Sequence, residues 1–309
     1  MTDPVYRSQT AADRITAQYR TVLDRWPVAR TEIIVPTRQG DTFVIACGPE
    51  DAPPVVLLHG AQANAAAWMP DIGLWAAKFR LFAIDMIGEA GLSARVRPAL
   101  EGDAHALWLD DVLSGLRLSR AAFVGTSLGG WLALDYAKRR PAAVRALALI
   151  CPGGIGRQKN FLLKALPLLL LGRWGRHKIR ELVFGPAPAI MPEALRPFAS
   201  LMDDIGAAIK PRTETLPRLT DAELESFTMP ILPILAIVGG RDALIDSADT
   251  RDRLRQHVPQ AEICFFDDGY HFLPDQTERV MTFLDRNASA QEASVSNDLP
   301  ASAASDLSE

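Results

Sequence analysis

The stretch Ala122-Phe123-Val124-Gly125-Thr126-Ser127-Leu128-Gly129-Gly130-Trp131 constrains the fold more than any other part of the chain. A short apolar run meets Gly-x-Ser-x-Gly, and a helix-like segment follows. A serine so placed sits on a tight strand-to-helix turn, a nucleophile elbow. Gly125 and Gly129 keep the turn free of side chains, where a Cβ would crowd it. The turn lifts the Ser127 hydroxyl clear of a sheet. It also aims the free N–H groups of the next helix at whatever the serine attacks. Such a turn needs a buried strand before it and a helix behind it.

The rest of the chain supplies that rhythm. Residues 55–58, 81–84, 144–150, 234–238 and 262–266 read as buried strands, with helical patterns at 65–78, 103–118, 131–138, 248–257 and 277–287. Upstream, Ile15, Tyr19, Val22, Leu23 and Trp26 recur at helical spacing over 11–26. Residues 31–36 and 42–47 flank Arg38-Gln39-Gly40-Asp41 as a hairpin. Strands alternating with helices predict an α/β protein, its mostly parallel sheet flanked by helices on both faces. Between 155 and 228 the rhythm stops, and helical segments follow one another, broken by prolines from Pro167 to Pro217. The predicted organisation is a core over 1–154 and 229–287, an inserted helical cap over 155–228, and a tail over 288–309. That tail is rich in Ala, Ser and acidic residues and has no Lys or Arg, so it is expected to be disordered.

Composition narrows the partners. The net charge of -4 offers nothing that would attract nucleic acid or an anionic membrane. The apolar run 161–171 contains Lys164 and Pro167 and is too short to span a bilayer, so it reads as a buried or groove-lining helix. Cys47, Cys151 and Cys264 lie far apart in strand-like stretches, as buried free thiols do. No Cys/His spacing suits a metal. The first ten residues are polar and lack a secretory apolar core, so a cytoplasmic protein is expected. The basic cluster Arg173, Arg176, His177, Lys178 and Arg180 reads as the solvated face of the cap.

A serine hydroxyl needs an imidazole to take its proton and a carboxylate to hold that imidazole in one tautomer. Of the five histidines, His271 follows the last strand in Gly269-Tyr270-His271-Phe272. That places it on a loop at the carboxyl end of the sheet, where such folds build their sites. The acid is expected at the end of the preceding strand, where Gly239-Gly240-Arg241-Asp242 offers Asp242; Asp246 is its rival, and Asp267 and Asp268 read as turn residues. One helix and one strand fit between Asp242 and His271, and the order Ser127, Asp242, His271 is that of Ser…Asp/Glu…His hydrolases. An oxyanion hole needs two fixed N–H donors. Leu128 is one; Ala61, after His59-Gly60, is the other, with Gln62 as second choice. His59 itself is expected to prop this loop through its ring.

On the strength of Leu57-Leu58-His59-Gly60-Ala61, the elbow, Gly239-Gly240-Arg241-Asp242 and Gly269-Tyr270-His271, in that order, residues 31–287 resemble the α/β-hydrolase superfamily. Trp26-Pro27-Val28, 47–54 and Asp85-Met86-Ile87-Gly88 are similar, more narrowly, to bacterial carboxylesterases of the naproxen-ester-cleaving type. The resemblance implies cleavage of an apolar carboxylic ester through an acyl-enzyme, with no metal or organic cofactor. Other chemistries of the same triad stay open: C–C bond, lactone or thioester hydrolysis and perhydrolysis. So does a ligand-binding receptor that has lost turnover. Haloalkane dehalogenase and epoxide hydrolase chemistry are excluded, because their relatives carry Asp at the position of Ser127. One departure stands out. Gly88-Glu89-Ala90-Gly91 replaces the Gly-His-Gly of many relatives, in a loop that reads as structural and borders the expected acyl pocket.

Overall fold

The structure is a computed structural model that describes residues 3–186, 193 and 196–288, without the side chains at 162–164, 169, 173 and 176. The expected disorder of the tail beyond 288 and the orientation of Arg173 and Arg176 lie outside the described residues.

Eight strands form one sheet in the order β1-β2-β4-β3-β5-β6-β7-β8. They are β1 (Arg30–Val35), β2 (Thr42–Cys47), β3 (Pro54–Leu58), β4 (Arg80–Ile84), β5 (Ala121–Thr126), β6 (Val144–Ile150), β7 (Ile234–Gly239) and β8 (Glu262–Phe266). β1 and β2 form the predicted hairpin, and β2 meets β4 antiparallel. All pairings from β4 through β3 to β8 are parallel. Successive side chains point to opposite faces, so each central strand feeds two cores. Leu57, Val124 and Ile237 pack on one face beneath α1 (Gln9–Leu23), α2 (Met69–Trp75) and α10 (Thr277–Asn287). Leu58, Phe123 and Ala236 pack on the other beneath α3 (Ala104–Gly115), α4 (Leu128–Arg139) and α9 (Ser247–His257).

Of the helix boundaries that differ from the predicted ones by a few residues, two are informative. Residues 65–78 divide into a 3-10 turn, Ala65–Trp68, and α2. Pro70 sits in the first turn of α2, where its missing N–H would have had no partner in any case. α4 begins at Leu128, three residues early, because the elbow turns within one residue. That tight turn depends on its glycines. A Cβ on Gly125 would lie 2.6 Å from the Gly129 carbonyl oxygen, and one on Gly129 would overlap the Leu58 carbonyl oxygen. Both neighbours are backbone and cannot swing aside. Gly129→Ala is therefore expected to destabilise the protein by about 3 kcal/mol or more. Urea unfolding measures this, and a loss under about 1 kcal/mol would contradict so close an approach.

Between β6 and β7 come α5 (Phe161–Leu169), α6 (Gly172–Phe184), α7 (Arg196–Ala208) and α8 (Asp221–Glu225). α8 is started by a capping box between Thr220 and Glu223. α7 joins the main core through Leu201 and Ile205, and Gln18 of α1 donates to Asp204. α5 and α6 form a separate hairpin that touches the loop after β8: the His271 amide donates to Val183 O at 3.1 Å, and the Phe184 and Phe272 rings meet edge-on. Of the two readings of the 161–171 run, buried or groove-lining, the exposure of its leucines leaves the second. Ala165 is buried, but Leu166, Leu170 and Leu171 are exposed. Gly175 of α6, lacking a Cβ, admits the Leu168 carbonyl, so small residues rather than leucines make the close approach. On α6, Lys178 pairs with Glu181 and Arg180 with Asp203 at partly exposed sites.

Candidate active site

Ser127 stands alone between β5 and α4 with φ 52° and ψ −108°. A side chain seldom adopts a positive φ unless its surroundings impose it. Here its N–H donates to Ile150 O at 2.9 Å, and its carbonyl accepts from the amides of Trp131 and Gly153 at 3.0 and 3.1 Å. The backbone is thus gripped from β6 and α4 at once, and the hydroxyl is held at the carboxyl edge of the sheet.

The loops after β7 and β8 bring Asp242 and His271 to the same edge. His271 Nε2 is 2.9 Å from Ser127 Oγ, and Nδ1 is 2.7 Å from Asp242 Oδ2. Asp242 is 1% exposed and His271 8%. The other Asp242 oxygen accepts the amides of Leu244 and Ile245 at 2.7 and 3.0 Å, so the carboxylate cannot rotate away. An ionised carboxylate only accepts. Nδ1 must therefore carry the proton, which leaves Nε2 as acceptor for the serine hydroxyl.

The rival acids serve elsewhere. Asp246 caps α9 by accepting the Asp249 amide, and it pairs with Arg157. Asp268 is exposed and pairs with Arg241. The remaining histidines are also accounted for: His257 bonds Glu225, His177 pairs with Glu181, and His105 lies edge-on to Trp131.

One neighbour of these residues was read from sequence only as a buried thiol. Cys151, the first residue after β6, is buried, and its Sγ lies within 4.8 Å of ligand atoms of Asp242 and His271. Burial, and then the charge of Asp242, push its thiol well above the usual range, so it stays protonated. Its position was traceable. The end of β6 must lie between the ends of β5 and β7, which carry Ser127 and Asp242.

The loop after β3 closes the site. A Cβ on Gly60 would lie 3.6 Å from the Ser127 Cβ, so this backbone runs directly beside the serine. His59 is fully buried; its Nε2 accepts the Met86 amide at 3.0 Å and its Nδ1 donates to Gly60 O at 2.8 Å. Burial pushes its pKa down to about 4. Gln62, at φ 59°, donates its amide to Glu89 Oε2 at 2.7 Å. That amide, the second choice for the oxyanion hole, is therefore engaged. Leu128 opens α4, with its amide at the helix N-terminus beside Ser127.

His59 makes a pH prediction. Between pH 6.5 and about 4 the unfolded chain binds a proton at His59 that the folded protein refuses. Stability carried by the neutral ring is thus present above pH 6.5 and lost as pH falls toward 4. His59→Gln should flatten the stability–pH curve in that window by up to one proton, about 1.4 kcal/mol per pH unit. Urea titrations at several pH values measure the slope, and an unchanged slope would show that His59 does not titrate so.

The sheet order, the elbow and the cluster at its edge define an α/β-hydrolase fold, and the chain belongs to the alpha/beta hydrolase family, whose sequence profile matches residues 55–282. Its relatives in Bacillus subtilis strain 168 include the uncharacterized carboxylesterase nap, 30% identical over 86% of this chain and 90% of that one. Carboxylesterase YbfK of the same strain is 30% identical over 88% of this chain and 93% of its own. The crystal structure of naproxen esterase (carboxylesterase NP) from Bacillus subtilis superposes with a TM-score of 0.75 at 28% identity, covering 91% of this chain and 99% of that one. Among the described residues no helix is long and apolar enough to cross a membrane.

Proposed function

We propose that this protein is a serine hydrolase that cleaves carboxylic esters through an acyl-enzyme. The observation that carries this reading is the single imidazole of His271, hydrogen-bonded to Ser127 Oγ on one side and to the Asp242 carboxylate on the other. Its near relatives are named carboxylesterases, which supports ester over other acyl chemistry.

Ser127 Oγ attacks the ester carbonyl carbon while His271 Nε2 takes its proton. Asp242 stabilises the imidazolium that forms. The amides of Ala61 and Leu128 receive the charge that develops on the carbonyl oxygen. His271 then gives its proton to the departing alcohol. Water, activated by the same ring, releases the acid. Every step is a proton transfer or acyl transfer among these groups, so none calls for a metal or organic cofactor.

In this reading residues 155–228 are the cap, and the exposed leucines around α5 form a wall for an apolar acyl or alcohol group. Leu166, 63% exposed, is a test position; Leu169 on the same helix lies outside the described side chains. Leu166→Asn should weaken kcat/KM for long-chain p-nitrophenyl esters more than for the acetate, by roughly 1–3 kcal/mol of differential binding. Equal losses across the series would mean that the cap only stabilises the fold. The same ester panel, extended to thioesters, lactones and diketones, tests the reaction class.

A further inference from the structure

The departure at Gly88-Glu89-Ala90-Gly91 puts a carboxylate in the interior. The Glu89 side chain is fully buried, and it has two partners. Oε2 accepts the Gln62 amide at 2.7 Å, and Oε1 accepts Arg212 Nε at 2.5 Å. Arg212 comes from the segment between α7 and α8, and its own side chain is only 8% exposed. A buried charge persists when it is both paired and hydrogen-bonded, and this one is. Stability alone does not require such a pair, since apolar side chains of similar volume serve as well. What the pair supplies, and apolar residues cannot, is a fixed acceptor for one backbone amide.

That amide sits at a telling place. Gln62 follows Ala61 and holds a left-handed φ of 59°, a conformation it keeps only if anchored. On the other side of Ala61, His59 is anchored to Met86. Further along, Asn64 Nδ2 donates to Ala90 O at 2.9 Å and the Ala65 amide to Asp85 Oδ1 at 2.8 Å. The turn beside Ser127 is thus stitched to the loop after β4, and Glu89 makes the stitch nearest to Ala61 on its C-terminal side.

We propose that Glu89 is a positioning residue for the oxyanion hole. It holds the Gln62 amide so that the neighbouring Ala61 amide faces the substrate carbonyl oxygen, and Arg212 supplies its counter-charge. This rests on the assignment of Ser127 as nucleophile and Ala61 as donor. An oxyanion donor acts on charge that exists only in the transition state, so its misplacement lowers kcat and spares KM.

The test uses p-nitrophenyl acetate hydrolysis per active site, with active sites counted by fluorophosphonate labelling, and inhibition by a trifluoromethyl ketone, which forms a hemiketal with the serine. Glu89→Ala should lower kcat per labelled site about 10–100-fold, with KM within about twofold. The inhibition constant of the ketone should rise by a similar factor. Glu89→Gln combined with Arg212→Leu keeps an oxygen for the Gln62 amide with no guanidinium to claim it, and should recover most of the loss. Should Glu89→Ala, which leaves Arg212 only its longer contact with Glu214, fail to fold, the double variant Glu89→Ala/Arg212→Leu removes both charges and is read in the same way. The proposal is overturned if kcat per labelled site and ketone affinity stay within about twofold of the parent protein, including the case where only the labelled fraction falls. Failure of the underlying reading looks different. The parent protein would then not label at Ser127, or Ser127→Ala would keep its activity, whatever Glu89 does.

Discussion

Ser127→Ala should lower hydrolysis of p-nitrophenyl esters by on the order of 10⁴ or more while the protein stays folded. The substitution keeps the Cβ, so the strained φ of 52° is no harder to hold, and the backbone bonds from Ile150, Trp131 and Gly153 remain. What disappears is the oxygen that bonds His271 Nε2, and with it the only route to an acyl-enzyme in the proposed mechanism. The residual rate comes from bound water and the oxyanion donors alone. Circular dichroism and urea unfolding check that the fold persists. A fluorophosphonate should label the parent protein at Ser127 and leave the variant unlabelled. Label mapped to another serine would sink the assignment.

Asp242→Asn is the second large effect, expected at about 10²–10⁴ in kcat. Its reason lies in the three hydrogen bonds that Asp242 accepts. The amides of Leu244 and Ile245 both point at one oxygen and require an acceptor there. An asparagine must give them its single oxygen, so its NH₂ turns toward His271. It then donates to Nδ1 and drives the ring proton to Nε2, where it meets the serine hydroxyl donor to donor. The base is lost although nothing moves. Asp246→Asn is the control. It weakens the cap of α9, at about 1 kcal/mol or less of stability, and should leave turnover alone. An active Asp242→Asn beside an inactive Asp246→Asn would reverse the choice of carboxylate.

Much of this was legible in the chain because the signals are local. Short continuous apolar runs and helical spacing place each strand and most helices within a turn of their observed ends. Gly-x-Ser-x-Gly carries its own steric reason, since both glycines face backbone atoms. The order Ser127, Asp242, His271 is the one the family resemblance implies, and parallel strands bring the loops that carry them to one edge. What was not legible shares a cause as well. The division of residues 65–78 and the early start of α4 depend on single residues at helix ends. α7 settled into the main core because Leu201 and Ile205 found α1, a partner far away in sequence.

By itself the sequence determined the α/β rhythm, the elbow, and the kinds of residue that stand at the carboxyl edge of the sheet. These follow from periodicity and sterics, which act between near neighbours along the chain. Only the tertiary structure decided which oxygen of Asp242 meets His271, that Cys151 stands beside them, and that Glu89 holds the Gln62 amide against Arg212. Those facts depend on the order of strands in the sheet and on what packing excludes from water. A carboxylate reads the same in sequence whether solvated or buried; folding removes its water and obliges it to find a partner on a distant segment.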